Sequence, residues 1–214
     1  MLRRHFSLLV LTALLAGPSS AQSGKAATRA ATLLVLGDSL SAEYGLRRGE
    51  GWVALLQTRL TQEKISARVV NASISGDTTS GGRSRLPALL ALHKPTLVII
   101  ELGGNDALRG LPLTMSQDNM KAMVQAAKAS GAKVLLLGMQ MPPNYGKAYA
   151  NQFAALFSQT AKDSEAALVP FLLKGVADEP DALKQFQADR IHPLAVAHPT
   201  ILNNVWLTVV KLLK

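Results

Sequence analysis

The chain has 214 residues, 48% of them hydrophobic and 17% charged, which is enough for one domain with a substantial core and excludes an intrinsically disordered chain. Its formal charge of +9 comes from basic residues placed singly or in pairs, with few aromatics between them, so a nucleic-acid partner is not expected. The absence of cysteine excludes disulfides and thiolate chemistry and leaves an exported location open.

The chain begins with Arg3, Arg4 and His5, followed by the apolar run "FSLLVLTALLAG" and by small residues at Ser19 and Ala21. A basic start, a short apolar middle and a small-residue end make residues 1–21 a secretory signal peptide, cleaved after Ala21. About 12 apolar residues are too few to span a bilayer. The expected location is periplasmic or secreted. Removing the leader takes two arginines from +9 and leaves +7, so the basicity belongs to the mature protein. Residues 22–30, "QSGKAATRA", form a loose tail, and residues 31–214 form the single domain.

Apolar runs that read as strands follow at Thr32–Leu36, Ala67–Ala72, Thr96–Leu102, Lys133–Met139 and, more weakly, Ala167–Phe171. Helical segments are expected at Trp52–Glu63, Thr79–Leu92, Ser116–Ser130, Lys147–Asp163 and Ala195–Leu213. Strands that are apolar throughout and separated by helices imply a parallel sheet covered on both faces. Right-handed crossovers then give a three-layer α/β/α sandwich. In such sheets, sites form beyond the carboxyl ends of the strands. The segments in that position are "GDSLS", "NASISGDTT", "GGNDALRG" and "MQMPPNYG", where glycine and short polar residues collect.

A serine hydroxyl needs a neighbouring base to become a nucleophile. Among the histidines outside the leader, His93 ends a helix at the opposite edge of the sheet and reads as a cationic helix cap. His198 precedes a proline and has no acidic residue a few positions upstream. His192, in "ADRIHP", lies three residues after Asp189, a spacing that lets a carboxylate hold the imidazole and leave Nε2 free to accept a proton. Ser39, in "GDSLS", is the candidate nucleophile, with the adjacent Asp38 bracing the turn through backbone contacts. Gly76 offers a backbone N–H and Asn105 an amide NH2 for a developing oxyanion, although singly each reads as loop punctuation. No HExxH or other close ligand pair points to a metal, and no cofactor is expected.

Taken together, "GDSLS", "NASISG", "GGND" and "DRIH" resemble the SGNH, or GDSL, hydrolase superfamily. The phrases "LGDSLSAEYG", "VVNASISGDTTSGGRSRLPALL", "ELGGNDALRG" and "PPNYGKAY" are most similar to its bacterial periplasmic thioesterase I, lysophospholipase and arylesterase group. The resemblance spans Thr32 to about Pro193. It implies a flavodoxin-like order of five parallel strands and a cofactor-free esterase working through an acyl-enzyme on a small-molecule acyl ester or thioester. Ser39 would attack, His192 would act as base and then acid, and Asp189 would orient His192. The backbone N–H groups of Ser39 and Gly76 and the Asn105 side chain would form the oxyanion hole. The implied partner is the substrate alone, bound by a monomer, with peripheral contact to anionic lipid left open. A carbohydrate acetylesterase of the same superfamily and a non-catalytic periplasmic lipid or anionic-ligand binder stand as alternatives.

Two departures lie beside His192. Close relatives usually have glycine after the aspartate and a polar residue after "HP", where this chain has Arg190 and Leu194. Arg190 would narrow the entrance or recruit anionic head groups. The loops "ALRGLPL" and "MPPNYG" are expected to shape the acyl pocket.

Overall fold

The structure is a computed structural model and describes residues 30–214. The expected leader, and the expected tail apart from Ala30, lie outside the described residues. Five strands alternate with helices: β1 (Ala31–Gly37), α1 (Trp52–Gln62), β2 (Ala67–Asn71), α2 (Thr79–His93), β3 (Leu97–Glu101), α3 (Gly104–Leu108), α4 (Leu113–Ala129), β4 (Lys133–Leu137), α5 (Lys147–Asp163), β5 (Ala167–Val169) and α6 (His198–Leu213).

The strands form one parallel sheet in the order β2-β1-β3-β4-β5, the flavodoxin-like arrangement. Helices α1 and α6 pack together on one side, and α2, α4 and α5 follow one another on the other. This is why β1, β3 and β4 are apolar without alternation. Leu33 to Leu36, Leu97 to Ile100 and Val134 to Leu137 are buried whichever way they point. The edge strands β2 and β5 keep partly exposed residues.

Strands β4 and β5 end two residues short of the expected Met139 and Phe171, and three helical elements differ from the sequence-based expectation. The "GGND" segment folds as the short helix α3, because Gly103 takes φ 110° and turns the chain directly out of β3. Helix α4 starts at Leu113, behind Pro112, three residues before the expected start. Helix α6 starts at His198, since residues 195–197 form a separate 3-10 turn and Pro199 occupies the first helical turn, where its missing N–H is harmless.

The carboxyl ends of β1, β2, β3 and β4 all open at one edge. Ile99, fully buried in the central strand β3 between β1 and β4, anchors that edge. Ile99→Ala should lower unfolding free energy by about 2–5 kcal/mol in urea titration, with little change in slope.

Candidate active site

The chain passes from β1 through Asp38 into a run of turns, which lifts Ser39 above the carboxyl edge of the sheet. Ser39 Oγ lies 2.9 Å from Nε2 of His192, 153 residues further along. His192 Nδ1 lies 2.7 Å from Asp189 Oδ2. The other oxygen of Asp189 accepts the backbone N–H groups of Ile191 (2.9 Å) and His192 (3.0 Å). The backbone N–H of His192 is the main influence holding the Asp189 carboxyl down at about 2, with the imidazole and the Ile191 N–H adding to it. An anionic Asp189 makes Nδ1 the protonated ring nitrogen, so Nε2 faces the serine as an acceptor.

Two contacts dock the loop bearing Asp189 and His192 onto the loop bearing Ser39. Gln187 donates its side-chain amide to the Tyr44 carbonyl at 2.9 Å and to the Pro193 carbonyl at 3.3 Å. Its backbone N–H also binds the His192 carbonyl at 2.8 Å, and its own carbonyl accepts from the Arg190 N–H at 2.9 Å. Gly45 makes room for this amide, because a Cβ there would fall 2.2 Å from Gln187 Oε1. The Tyr44 ring stacks on the imidazole, with centroids 4.3 Å apart and planes tilted by 37°. Both contacts restrain the ring against swinging away from Ser39.

The expected oxyanion donors come to the same edge. The backbone N–H groups of Ser39 and Gly76 have no protein acceptor among the described residues. Gly76 is the third residue of a turn closed by Asp77 N–H to the Ile74 carbonyl, and its φ of 79° suits glycine. Arg109 fixes the Gly76 carbonyl at 2.9 Å. Asn105 is placed beside them, but its amide is not idle. Nδ2 donates to Asp38 Oδ2 and to the Asp77 carbonyl, each at 2.9 Å. Asp38 also accepts the Leu40 N–H at 3.1 Å, the turn-bracing contact expected from sequence.

Several residues that the sequence reading did not single out hold these donors in place. Asp106, fully buried, accepts the Thr79 N–H at the start of α2 (2.9 Å), the Thr79 hydroxyl, and the Ser116 hydroxyl of α4 (3.2 Å). It thereby ties the helix carrying Asn105 to the helix that follows Gly76. Arg85 of α2 pairs with Asp77 at 2.7 Å and binds the Ala72 carbonyl, bracing the same loop from behind. A carboxylate immediately after Asn105 was a visible signal for Asp106. Gln187 carried none, since its role exists only once the two ends of the domain meet.

A cavity of about 590 Å³ opens beside Ser39 and His192, within the range of small-molecule sites. Leu108, Met139, Met141, Phe153, Phe171 and Leu173 make most of it apolar. The two loops expected to shape it contribute Leu108, Met141 and Pro142. Residues 171–186 supply another part of the wall, which the sequence reading did not anticipate. Arg190 lines the same cavity with φ 60°, a left-handed conformation that glycine would adopt without strain. Its side chain has no ion-pair partner among the described residues.

The remaining histidines are elsewhere. His93 ends α2, and His198 is buried with Nδ1 accepting the Trp52 N–H at 3.0 Å. Among the described residues, no group of three or more acidic or histidine side chains is arranged to hold a metal. Replacing Gln187 by alanine should loosen the loop docking and lower kcat/KM by about ten- to a hundredfold in an ester assay, with the fold retained by circular dichroism.

Comparison with known proteins gives this edge a context. Residues 35–198 match the GDSL-like Lipase/Acylhydrolase family. The chain is 55% identical over 184 residues to esterase TesA of Pseudomonas aeruginosa, covering 86% of this chain and 90% of that one. It is 44% identical over 175 residues to thioesterase 1/protease 1/lysophospholipase L1 of Escherichia coli, covering 82% and 81%. The crystal structure of the psychrotrophic esterase EstA from Pseudoalteromonas, inhibited by monoethylphosphonate, superposes with a TM-score of 0.78 at 42% identity, covering 84% of this chain and 97% of that one. With the match running from the middle of β1 to the start of α6, the chain belongs to the GDSL-like lipase/acylhydrolase family and is an ester hydrolase.

Proposed function

We propose that the protein is an exported serine esterase that hydrolyses fatty acyl esters and thioesters through a Ser39–His192–Asp189 triad and an acyl-enzyme. The observation that carries this reading is the continuous hydrogen-bonded line from Ser39 Oγ through the imidazole to Asp189, at 2.9 and 2.7 Å, beside an apolar cavity. Ser39 Oγ attacks the acyl carbon as its proton passes to His192 Nε2, and Asp189 stabilises the imidazolium that results. The carbonyl oxygen becomes an oxyanion met by the Ser39 and Gly76 N–H groups and by Asn105, which shares or releases one of its present acceptors. On collapse, His192 returns its proton to the leaving alcohol or thiol. Water then enters, gives a proton to His192 and attacks the acyl carbon; the bond to Ser39 Oγ breaks, His192 returns the proton to Oγ, and the acid departs.

An apolar cavity of this size favours acyl chains over an acetyl group, and so favours a lipidic substrate over an acetylated sugar. Arg190 at the lip, cationic and without an ion-pair partner among the described residues, suits a leaving group that carries phosphate. Exposed Ile191, Leu194 and Leu183 near it would allow passing contact with an anionic lipid surface. The cavity is lined by one chain, so a monomer suffices. Export follows from reading residues 1–21 as a cleaved leader and 22–30 as a tail ahead of the 31–214 domain; no helix among the described residues is long and apolar enough to cross a membrane.

A fluorophosphonate should label the mature protein once, at Ser39, by mass spectrometry, and Ser39→Ala should lower turnover by several orders of magnitude. Asn105→Ala should lower kcat by roughly 10²–10³. Absence of labelling on folded protein, or full turnover by either variant, contradicts the assignment. The base must be unprotonated to accept the serine proton, whereas Asp189 stays ionised down to about pH 2 and keeps orienting it. The kcat/KM profile should therefore fall on acidification while Asp189 is still ionised, and a flat profile excludes His192 as the base.

A further inference from the structure

Two acidic side chains lie directly beneath the candidate oxyanion donors and take no part in the proposed proton relay. Glu101 ends β3, and Asp38 follows β1, whose Gly37 stands opposite Glu101 in the sheet. They are 1% and 3% exposed. Gly37 is what admits the glutamate: a Cβ there would lie 2.8 Å from Glu101 Oε2. That oxygen accepts the Ser41 hydroxyl at 2.8 Å and the Asp38 N–H at 3.2 Å. The other oxygen, Oε1, is buried and accepts no hydrogen bond among the described residues.

No lysine or arginine forms an ion pair with either carboxyl among the described residues. The charged groups around them are few. Arg85 of α2 reaches the Gly37 carbonyl but is already neutralised by Asp77. His192 acts on Asp38 through space. Two buried carboxylates without a cation cannot both ionise, because each lacks solvation and repels the other. Burial pushes Asp38 up to about 6, and burial together with the Asp38 charge pushes Glu101 well above its ordinary range. Asp38 already receives the Leu40 N–H and the Asn105 amide, donors that favour its anion. Glu101 therefore keeps the proton, and the Asp38 carboxyl, the side chain hydrogen-bonded to it, is the group that accepts its O–H.

We propose that Glu101 is a protonated positioning residue that donates to Asp38 and so sets Asn105 for the oxyanion. Asp38 holds one of the two Asn105 N–H groups, and the Asp77 carbonyl holds the other. An oxyanion must compete for one of them. A full negative charge on Asp38 would grip that N–H and repel the oxyanion, and a second charge on Glu101 would add to the repulsion. One proton between the two carboxyls weakens the grip and halves the charge, while Asp38 still fixes the plane of the amide.

The proposal rests on the oxyanion reading of Asn105, so its test has an arm independent of turnover. The infrared difference spectrum of wild type minus Glu101→Gln at pH 7 should show a carboxylic-acid carbonyl band. Kinetically, Glu101→Gln replaces the acid O–H by an N–H and keeps a carbonyl for Ser41, so kcat should stay within about threefold of wild type. Glu101→Leu removes both, and kcat should fall about ten- to a hundredfold with KM unchanged, since Asn105 acts in the transition state. Absence of the acid band overturns the proposal even if Asn105→Ala is inactive. Loss of activity in folded Glu101→Gln comparable to that of Glu101→Leu overturns it as well. Should the leucine variant fail to fold, the infrared band and the glutamine variant still decide.

Discussion

The site depends on one long-range closure, the approach of Ser39 to His192 across 153 residues of chain. Ser39 is carried by the strand that begins the domain, and His192 by a loop that precedes its last helix. Neither strand pairing nor helix packing brings a side chain to within hydrogen-bonding distance by itself, because loops are the least restrained parts of such a fold. The closure is instead made by contacts between loops. Gln187 binds the Tyr44 carbonyl on one side and the Pro193 and His192 carbonyls on the other. The Tyr44 ring covers one face of the imidazole. The amide sets where the loop lies, and the ring sets how the imidazole is turned.

Beneath this closure, the loops carrying Gly76 and Asn105 rest on buried polar groups rather than on apolar packing alone. Asp106, Asp38 and Glu101 are all essentially without solvent contact. Asp106 is the inexpensive case: it faces the N-terminus of α2 and accepts from Thr79 and Ser116, so donors and the helix dipole compensate its burial. Asp38 and Glu101 also accept donors, but burial outweighs them and the pair burdens the fold at neutral pH. Their native-state protons are held more tightly than in the unfolded chain, so stability falls as pH rises from about 4 through about 6, the region where Asp38 ionises. A fold selected for stability alone would put an apolar pair there. Keeping two carboxyls against the Asn105 amide makes sense if the amide's orientation is what they serve.

The fold was largely legible in the amino-acid order because its central strands obey a simple rule. "TLLVL", "LVII" and "VLLL" are uninterrupted by polar residues, which only a sheet covered on both faces allows. The ends of elements were less legible. Helix α3 is five residues long and contains glycine, asparagine and aspartate, all poor helix formers; tertiary contacts through Asp106 stabilise it, not propensity. The proposed site residues were legible for a different reason: serine, glycine, asparagine and the Asp–His pair stand in short polar segments at four separate places, and the structure brings all of them to one edge. What could not be read was their support. Glu101, Tyr44 and the wall formed by residues 171–186 carry no local signal, because each acts only through contacts made across the fold.

Arg190 shows how the two halves of this design meet. Among the described residues, five other than glycine have left-handed backbone angles. Lys64, Lys94 and Glu165 lie just beyond the ends of α1, α2 and α5, where such angles terminate helices. Glu43 uses its position to accept the N–H groups of Gly49 and Gly51. Arg190 has neither excuse. Its angle is imposed by the tight turn that lets Asp189 accept from Ile191 and His192, and its N–H is spent on Gln187. The backbone conformation thus belongs to the closure, while the guanidinium is left free at the lip of the cavity. A residue that strains the turn holding the imidazole in order to place a cation at the entrance links loop geometry directly to which acyl donors can approach.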